Sequence, residues 1–151
     1  MEELIAKRVQ QANLTIACAE SLTGGGVSSR LAAAPDSSTW FHGGVVAYTV
    51  QTKNRVLGVP LGPVITAACA ETMATGVARL LDADIAVAVT GAGGPGHQEG
   101  HPPGTVYVAL SDHGDVRSWY AHFDGPPRRV VQSTVSFVLT RLFEHLSRRP
   151  G

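Results

Sequence analysis

Residues 15–26, reading TIACAESLTGGG, constrain the fold of this chain more than any other stretch. An apolar run typical of a buried strand passes directly into polar side chains and then into three consecutive glycines. The residues that follow, VSSRLAAA, are typical of a helix, so the stretch predicts a strand that turns sharply into a helix. A hydroxyl at a strand end beside free backbone N–H groups is a common way for α/β folds to build a site.

Two interpretations of this turn are open. In the functional one, Ser21 is a reactive hydroxyl, and the amides at the start of the helix bind an anion or a developing oxyanion. In the structural one, Ser21 or Thr23 only caps the helix. The local sequence does not decide between them.

Helical and extended patterns alternate along the chain. Helices are predicted at 2–13, 24–34, 53–57, 66–81 and 129–146, and strands at 14–19, 43–49, 84–91, 105–110 and 116–123. The last two strands flank the turn SDHGD and predict an antiparallel hairpin, whereas the other strands are joined through helices. This order predicts a three-layer α/β/α sandwich on a mixed sheet, in a single domain over residues 1–151.

Charge and hydropathy narrow the expected partners. The acidic and basic side chains balance to a formal net charge of zero, and no basic cluster is longer than two residues. We therefore expect no binding to nucleic acid or to a membrane surface.

The chain has no apolar run long enough to span a bilayer and no signal-peptide pattern at its start, so we expect it to be cytoplasmic. Cys18 and Cys69 lack zinc-site spacing, and we expect both in the core.

Three predicted strand ends carry polar residues. Ser21 follows the first strand, Tyr48 lies near the end of the second with Lys53 five residues on, and Thr90 and Gly91 end the third. Because ligands of open α/β sheets collect at the carboxyl ends of strands, we expect one site there. Serine needs a base to act as a nucleophile, and Lys53 can be that base only if burial or nearby positive charge lowers its pKa. In the alternative, non-catalytic interpretation, Lys53 is a solvated lysine on a helix and Tyr48 is a half-buried aromatic residue of a strand.

A zinc site is a further alternative. It would use His97, His101 and His113, but these lie in a predicted loop and a hairpin turn without the usual ligand spacing. We therefore expect no metal.

Five segments occur in an informative order: AESLTGG, SSTWFHGGVVAYTVQTK, LGV, DIAVAVTGAGGPG and PPGTVYVAL. Together they resemble the CinA C-terminal domain family, which includes nicotinamide-nucleotide amidases of the PncC type, over nearly the whole chain. The resemblance implies hydrolysis of the carboxamide of nicotinamide mononucleotide to nicotinic acid mononucleotide and ammonia, a step of pyridine nucleotide salvage, without a metal or other cofactor. It also implies an α/β/α fold and a homo-oligomer, which we expect to be a dimer.

The resemblance also implies roles for individual residues. The proposed catalytic positions are Ser21, Tyr48 and Lys53, and the substrate-cradling positions are Thr23, Gly24, Gly25, Thr90 and Gly91. We also expect Glu20, next to Ser21, to contact the substrate. The amides near Gly24 and Gly25 would then stabilise the oxyanion.

The chain departs from the usual residues of the family at several places. Thr49-Val50 replaces Ser-Asn, Ile65 replaces a serine, TGAGGP replaces TGIAGP, His101 replaces a lysine and Pro127 replaces an arginine. Losing a guanidinium that could hold a phosphate weakens recognition of a mononucleotide, although Arg128 or Arg129 could replace it. A second function class therefore stays open, a catalytically weak module that binds a nucleotide or a protein partner.

Overall fold

The computed structural model describes residues 1–150, which form a five-stranded sheet covered by α-helices on both faces. In chain order the elements are α1 (Glu2–Gln11), β1 (Ile16–Glu20), α2 (Gly26–Ala32), a 3₁₀ turn (Ser37–Thr39), β2 (Phe41–Val46), α3 (Val50–Leu57), α4 (Ala67–Leu80), β3 (Ile85–Gly91), β4 (Thr105–Asp112), β5 (Asp115–His122) and α5 (Pro127–Arg148). This is the predicted three-layer α/β/α sandwich on a mixed sheet.

The order of the strands explains where a ligand could bind. Across the sheet the order is β2-β1-β3-β4-β5, and β1 pairs in parallel with both β2 and β3. Strands β4 and β5 form the predicted antiparallel hairpin, with β4 antiparallel to β3. The chain leaves β1 toward one side of the sheet and later returns to its other side. The carboxyl end of β1 is therefore a topological switch point, where open α/β sheets bind ligands.

The two faces of the sheet bury different side chains. The face toward α1, α2 and α5 carries large residues, among them Ile16, Ile85 and Val87. The opposite face, toward α3 and α4, carries alanines such as Ala17 and Ala86. Because side chains alternate along a strand, one strand supplies both kinds of surface. The near-continuous apolar runs in the sequence come from this burial on both faces.

Helix caps explain where the boundaries differ from the prediction. The predicted strand 43–49 ends earlier, at Val46, because Thr49 caps α3, its Oγ1 accepting a hydrogen bond from the Thr52 amide at 3.2 Å. Helix α3 consequently begins at Val50, three residues before the predicted start. Helix α4 is capped in the same way, since Thr66 Oγ1 accepts from the Cys69 amide at 3.0 Å.

None of the helices within residues 1–150 combines the length and the apolar character needed to cross a bilayer.

Candidate active site

Glu20 organises the turn that follows β1. The residue is fully buried, and its Oε1 accepts from Thr23 Oγ1 at 2.6 Å, from the Val27 amide at 2.9 Å and from the Gly25 amide at 3.3 Å. Its Oε2 accepts from the Ser28 amide at 2.8 Å. A carboxylate at the start of a helix satisfies amides that have no partner inside the helix and interacts favourably with the helix dipole. Glu20 thus supplies the oxygens that cap α2, whose N-cap position is Gly25.

This arrangement bears on both interpretations of the turn. The amide of Gly24 donates to the carbonyl of Ser21, and that of Gly26 donates to the carbonyl of Thr23. Together with the Gly25 amide, which donates to Glu20, these amides are already bonded within the turn and are not free to bind an oxyanion in this arrangement. The expected cap by Ser21 or Thr23 is wrong, because the N-cap position is Gly25 and the oxygens that accept from the helix amides belong to Glu20.

The turn and the cavity beside it use different residues. Glu20, Thr23, Gly24 and Gly25, which we expected to contact substrate, do not line the cavity described below. The glycines permit the turn, because Gly24 and Gly25 adopt φ values of 58° and 108° that L side chains rarely adopt. Ser21, the next residue after Glu20, lines the cavity instead.

Ser21 and Lys53 meet at the carboxyl end of β1. Lys53 Nζ donates to Ser21 Oγ at 3.1 Å and to the main-chain carbonyl of Tyr48 at 2.9 Å. Lys53 lies in the first turn of α3 and only 1% of it is exposed. The cap at Thr49 fixes where α3 starts and thereby aims Lys53 at Ser21.

Burial lowers the pKa of Lys53, because desolvation disfavours the charged ammonium. Cys69 and Glu99 oppose this change, since negative charge on either group would stabilise the ammonium and raise the Lys53 pKa. Burial also raises the pKa of the Cys69 thiol, which keeps that group neutral at ordinary pH. Desolvation thus has the largest influence on the Lys53 pKa, and Glu99 is the acidic neighbour that opposes it.

Tyr48 takes part through its main chain. Its residue is 66% exposed, and its hydroxyl forms no hydrogen bond with Ser21 or with any other group in residues 1–150. The expected orienting hydroxyl is not seen in this arrangement. The contact to Lys53 is made by the Tyr48 carbonyl, while the Tyr48 side chain lies on the lining of the cavity.

The Ser21–Lys53 pair opens into a cavity of about 300 Å³, the lower end of the usual range for ligand sites. Its lining consists of Ser21, Leu22, Tyr48, Thr49, Val50, Lys53, Val64, Thr90, Gly91, Gly93, Gln98 and Glu99. Thr90 and Gly91 therefore lie where they were expected. Thr90 Oγ1 donates to the Val64 carbonyl at 2.8 Å, which joins the end of β3 to the segment before α4. Lys53 is the one cation of residues 1–150 on this lining.

Sequence reasoning missed Glu99 as a cavity residue. Its carboxylate accepts from the amide of Val64 at 2.9 Å and from the amide of Ile65 at 2.9 Å. The pair Glu99-Gly100 is a turn signal, which indicates the local backbone shape. No local pattern indicates a contact with residues about 35 positions earlier.

Arg128 and Arg129 lie in the first turn of α5. Both are exposed, and neither lines the cavity or forms an ion pair with an acidic group in residues 1–150. Helix α5 nevertheless starts beside the cavity loop, because a side chain at Gly94 would contact Pro127. The two arginines remain candidates for a phosphate, but the free protein does not hold them in place.

The three histidines of the zinc alternative do not form one group, because His113 lies in a different turn from His97 and His101. His113 pairs with Asp112 and Asp84 at the hairpin turn, whereas His101 bonds through its backbone to Gln98 in the cavity loop. Over residues 1–150, no group of three or more histidine, cysteine, aspartate or glutamate side chains is arranged to hold a metal ion.

Comparisons with known proteins agree on one family. The CinA C-terminal domain matches residues 1–146. A relative from Desulforamulus reducens whose name refers to competence-damage induction is 41% identical over 144 residues, which cover 92% of this chain and 35% of that protein. A CinA-like protein of Geobacter metallireducens is 35% identical over 155 residues, covering 96% of this chain and 38% of that protein. The chain thus spans about a third of the length of these relatives.

Solved structures match over almost the full length. A CinA superfamily protein from Klebsiella pneumoniae is 31% identical with a TM-score of 0.94, covering 98% of this chain and 96% of that one. A CinA superfamily protein from Escherichia coli is 34% identical with a TM-score of 0.92, covering 95% and 87%. Sequence and fold together lead to one conclusion: this chain belongs to the CinA C-terminal domain family.

Proposed function

We propose that this protein hydrolyses the carboxamide of nicotinamide mononucleotide to nicotinic acid mononucleotide and ammonia. The observation that carries the proposal is the hydrogen bond of 3.1 Å between Ser21 Oγ and a buried Lys53 amine. The resemblance to PncC-type amidases supplies the substrate, and a hydroxyl paired with a buried amine suits acyl transfer from an amide.

Lys53 is the base in this reaction. A neutral amine has a lone pair that can accept the Ser21 proton, whereas an ammonium cannot, and burial lowers the Lys53 pKa toward the neutral form. In the neutral amine, one N–H keeps donating to the Tyr48 carbonyl, and the lone pair accepts the Ser21 proton once the amine turns its other N–H groups away from Ser21 Oγ, which reverses the Lys53–Ser21 hydrogen bond. The main chain thus orients the base.

The reaction proceeds in two halves. Ser21 Oγ attacks the carboxamide carbon as its proton passes to Lys53, and the resulting tetrahedral intermediate expels ammonia after the leaving nitrogen takes that proton. Water then attacks the acyl-serine ester, again losing a proton to Lys53, and nicotinic acid mononucleotide leaves as Ser21 regains its proton. Splitting amide cleavage in this way replaces one difficult step by two easier ones.

The amide of Leu22 is the donor we assign to the oxyanion. Leu22 directly follows Ser21, lines the cavity, and its N–H donates to no acceptor in residues 1–150. An amide adjacent to the nucleophile is the usual oxyanion donor of strand-to-helix serine sites. It replaces the glycine amides, which the turn itself occupies.

Ammonia release from nicotinamide mononucleotide tests the proposal directly. We expect turnover with the mononucleotide and slower turnover with free nicotinamide, because the base alone lacks the ribose phosphate that would position it. Saturable binding of the mononucleotide without ammonia release would instead support the catalytically weak binding module. That second function is favoured by the absence of any arginine from the cavity lining of residues 1–150.

A further inference from the structure

A loop covers one side of the cavity. It connects β3 to β4, which are antiparallel neighbours, and its base is closed by hydrogen bonds from the Ala92 amide to the Thr105 carbonyl at 2.9 Å and from the Gly104 amide to the Ala92 carbonyl at 2.7 Å. The loop between these bonds is longer than a tight hairpin connection needs. Gly93 near its base lines the cavity.

The far end of this loop is a tight turn. Gln98 and His101 exchange backbone hydrogen bonds of 3.0 and 2.8 Å, and the two residues between them, Glu99 and Gly100, have φ values of 52° and 78°. Positive φ is ordinary for glycine and unfavourable for glutamate, costing of order 1 kcal/mol. A glutamate in this conformation indicates that its side chain makes a compensating contact.

That contact is with the segment before α4. One carboxylate oxygen of Glu99 accepts from the Ile65 amide at 2.9 Å and from the Val64 amide at 3.1 Å, and the other accepts from the Val64 amide at 2.9 Å. Glu99 is exposed, and no cation in residues 1–150 forms an ion pair with it. The side chain is therefore held by two amides alone.

The same contact lies on the wall of the cavity. Val64, Gln98 and Glu99 all lie on its lining, together with the reactive pair Ser21 and Lys53. If the tip of the loop moved away, water would enter beside Lys53 and the negative charge of Glu99 would leave. Both the hydration and the charge around Lys53 thus depend on Glu99.

We propose that Glu99 is a positioning residue, whose carboxylate fastens the loop to the Val64 and Ile65 amides, closes the cavity over Ser21 and Lys53, and places a negative charge on the wall that Lys53 faces. In catalysis this role rests on the proposed amidase function. The charged and titratable groups that act on Lys53 are Glu99 and Cys69, and burial keeps Cys69 neutral.

Amide exchange measured by NMR tests the contact without any substrate. In Glu99→Ala the Val64 and Ile65 amides lose their acceptor, so we expect them to exchange about tenfold faster or more, because these bonds are charge-assisted. Glu3→Gln, which removes the same charge from an exposed site on α1, is the matched control and should leave both rates unchanged. Unchanged exchange in Glu99→Ala would overturn the fastening role.

Lysine titration tests the charge. The chain has two lysines, so ¹³Cε labelling gives two resonances, and exposed Lys7 serves as the internal reference. Glu99→Gln keeps one oxygen that can accept from an amide but removes the charge that raises the Lys53 pKa, so Lys53 should titrate at lower pH than in the wild type while Lys7 stays fixed. A Lys53 titration that is unmoved or raised would overturn the charge effect.

Kinetics separate this proposal from the amidase function. On the high-pH plateau of ammonia release, where Lys53 is neutral in both proteins, Glu99→Gln should lower kcat/KM about ten- to a hundredfold because an uncharged amide holds the loop less tightly, and the rising limb of the pH–rate profile should shift to lower pH. Faster amide exchange in Glu99→Ala with wild-type kcat/KM would make the contact merely structural and overturn the positioning role. If the NMR changes occur and even the wild type releases no ammonia, the loop contact stands and the amidase function fails.

Discussion

Glu20 and Ser21 are adjacent in the chain but belong to two regions with opposite purposes. Glu20 points into the turn, where its carboxylate accepts four hydrogen bonds from the residues that follow it. Ser21 points into the cavity, where it meets a lysine 32 residues away. The turn bonds the Glu20 carboxylate and all three glycine amides internally, whereas the cavity keeps a buried amine that burial destabilises in its charged form. This motif therefore contains a structural half, which is Glu20 with the turn that it holds, and a chemical half, which is Ser21 with the cavity.

Ser21→Ala should give the largest effect on the chemical half. Without the hydroxyl no acyl-serine can form, so ammonia release should fall at least about ten-thousandfold. Melting should stay close to the wild type, because Ser21 donates to no partner that the turn requires. Ammonia release and thermal unfolding would be measured on the same sample. Substantial turnover with an unchanged melting temperature would move the nucleophile away from Ser21.

Lys53→Met keeps the length of the side chain and removes the base. We expect turnover to fall about a hundred- to ten-thousandfold, and the limb on which wild-type activity rises with pH to disappear. The Lys53 pKa is lower in the folded state, so the unfolded chain binds the extra proton and stability rises with pH between the two pKa values. Because the substitution removes a buried amine, we expect the melting temperature at neutral pH not to decrease. An active variant with an unchanged pH profile would exclude Lys53 as the base.

Glu20→Gln should break the structural half. In glutamine, an NH₂ group replaces one of the carboxylate oxygens that accept hydrogen bonds from the turn. Buried amides would then lack an acceptor, and each should lower the free energy of unfolding by about 1–3 kcal/mol. Denaturant unfolding would measure this change. Thr23→Val, which removes one of the four donors, should lose less, and Glu99→Gln should change the unfolding free energy little because Glu99 is exposed. Equal stability of Glu20→Gln and the wild type would contradict the capping role.

The comparison also shows what the sequence could predict. The strand, the glycine turn and the helix follow from local patterns, and the meeting of Ser21 with Lys53 follows from the parallel order of β1 and β2. The direction of Glu20 could not be read, because β1 is buried on both faces and alternation then gives no sign of which polar residue faces a ligand.

Other parts of the site depend on contacts that are distant in sequence or made by the main chain. Tyr48 contributes its main-chain carbonyl. Every residue has a carbonyl, so the identity of the side chain in a sequence motif does not predict this contact. Glu99 contacts Val64 and Ile65 through a long loop whose path is set by tertiary structure. The sequence therefore predicts the reactive pair better than the groups that orient and enclose it.

Within residues 1–150, the chemical half contains no group that is seen to hold a phosphate. Among the substitutions proposed here, neutralising Arg128 or Arg129 should therefore have the smallest effect on catalysis. If one of them holds the phosphate of the mononucleotide, its substitution by glutamine removes a charge-assisted bond of about 1.5–3 kcal/mol and raises KM for the mononucleotide roughly ten- to over a hundredfold. KM for free nicotinamide should not change, because it carries no phosphate. Arg148→Gln near the other end of α5 is the matched control. Identical KM values for Arg128→Gln, Arg129→Gln and the wild type would assign the phosphate to backbone amides, or point to a natural ligand without one.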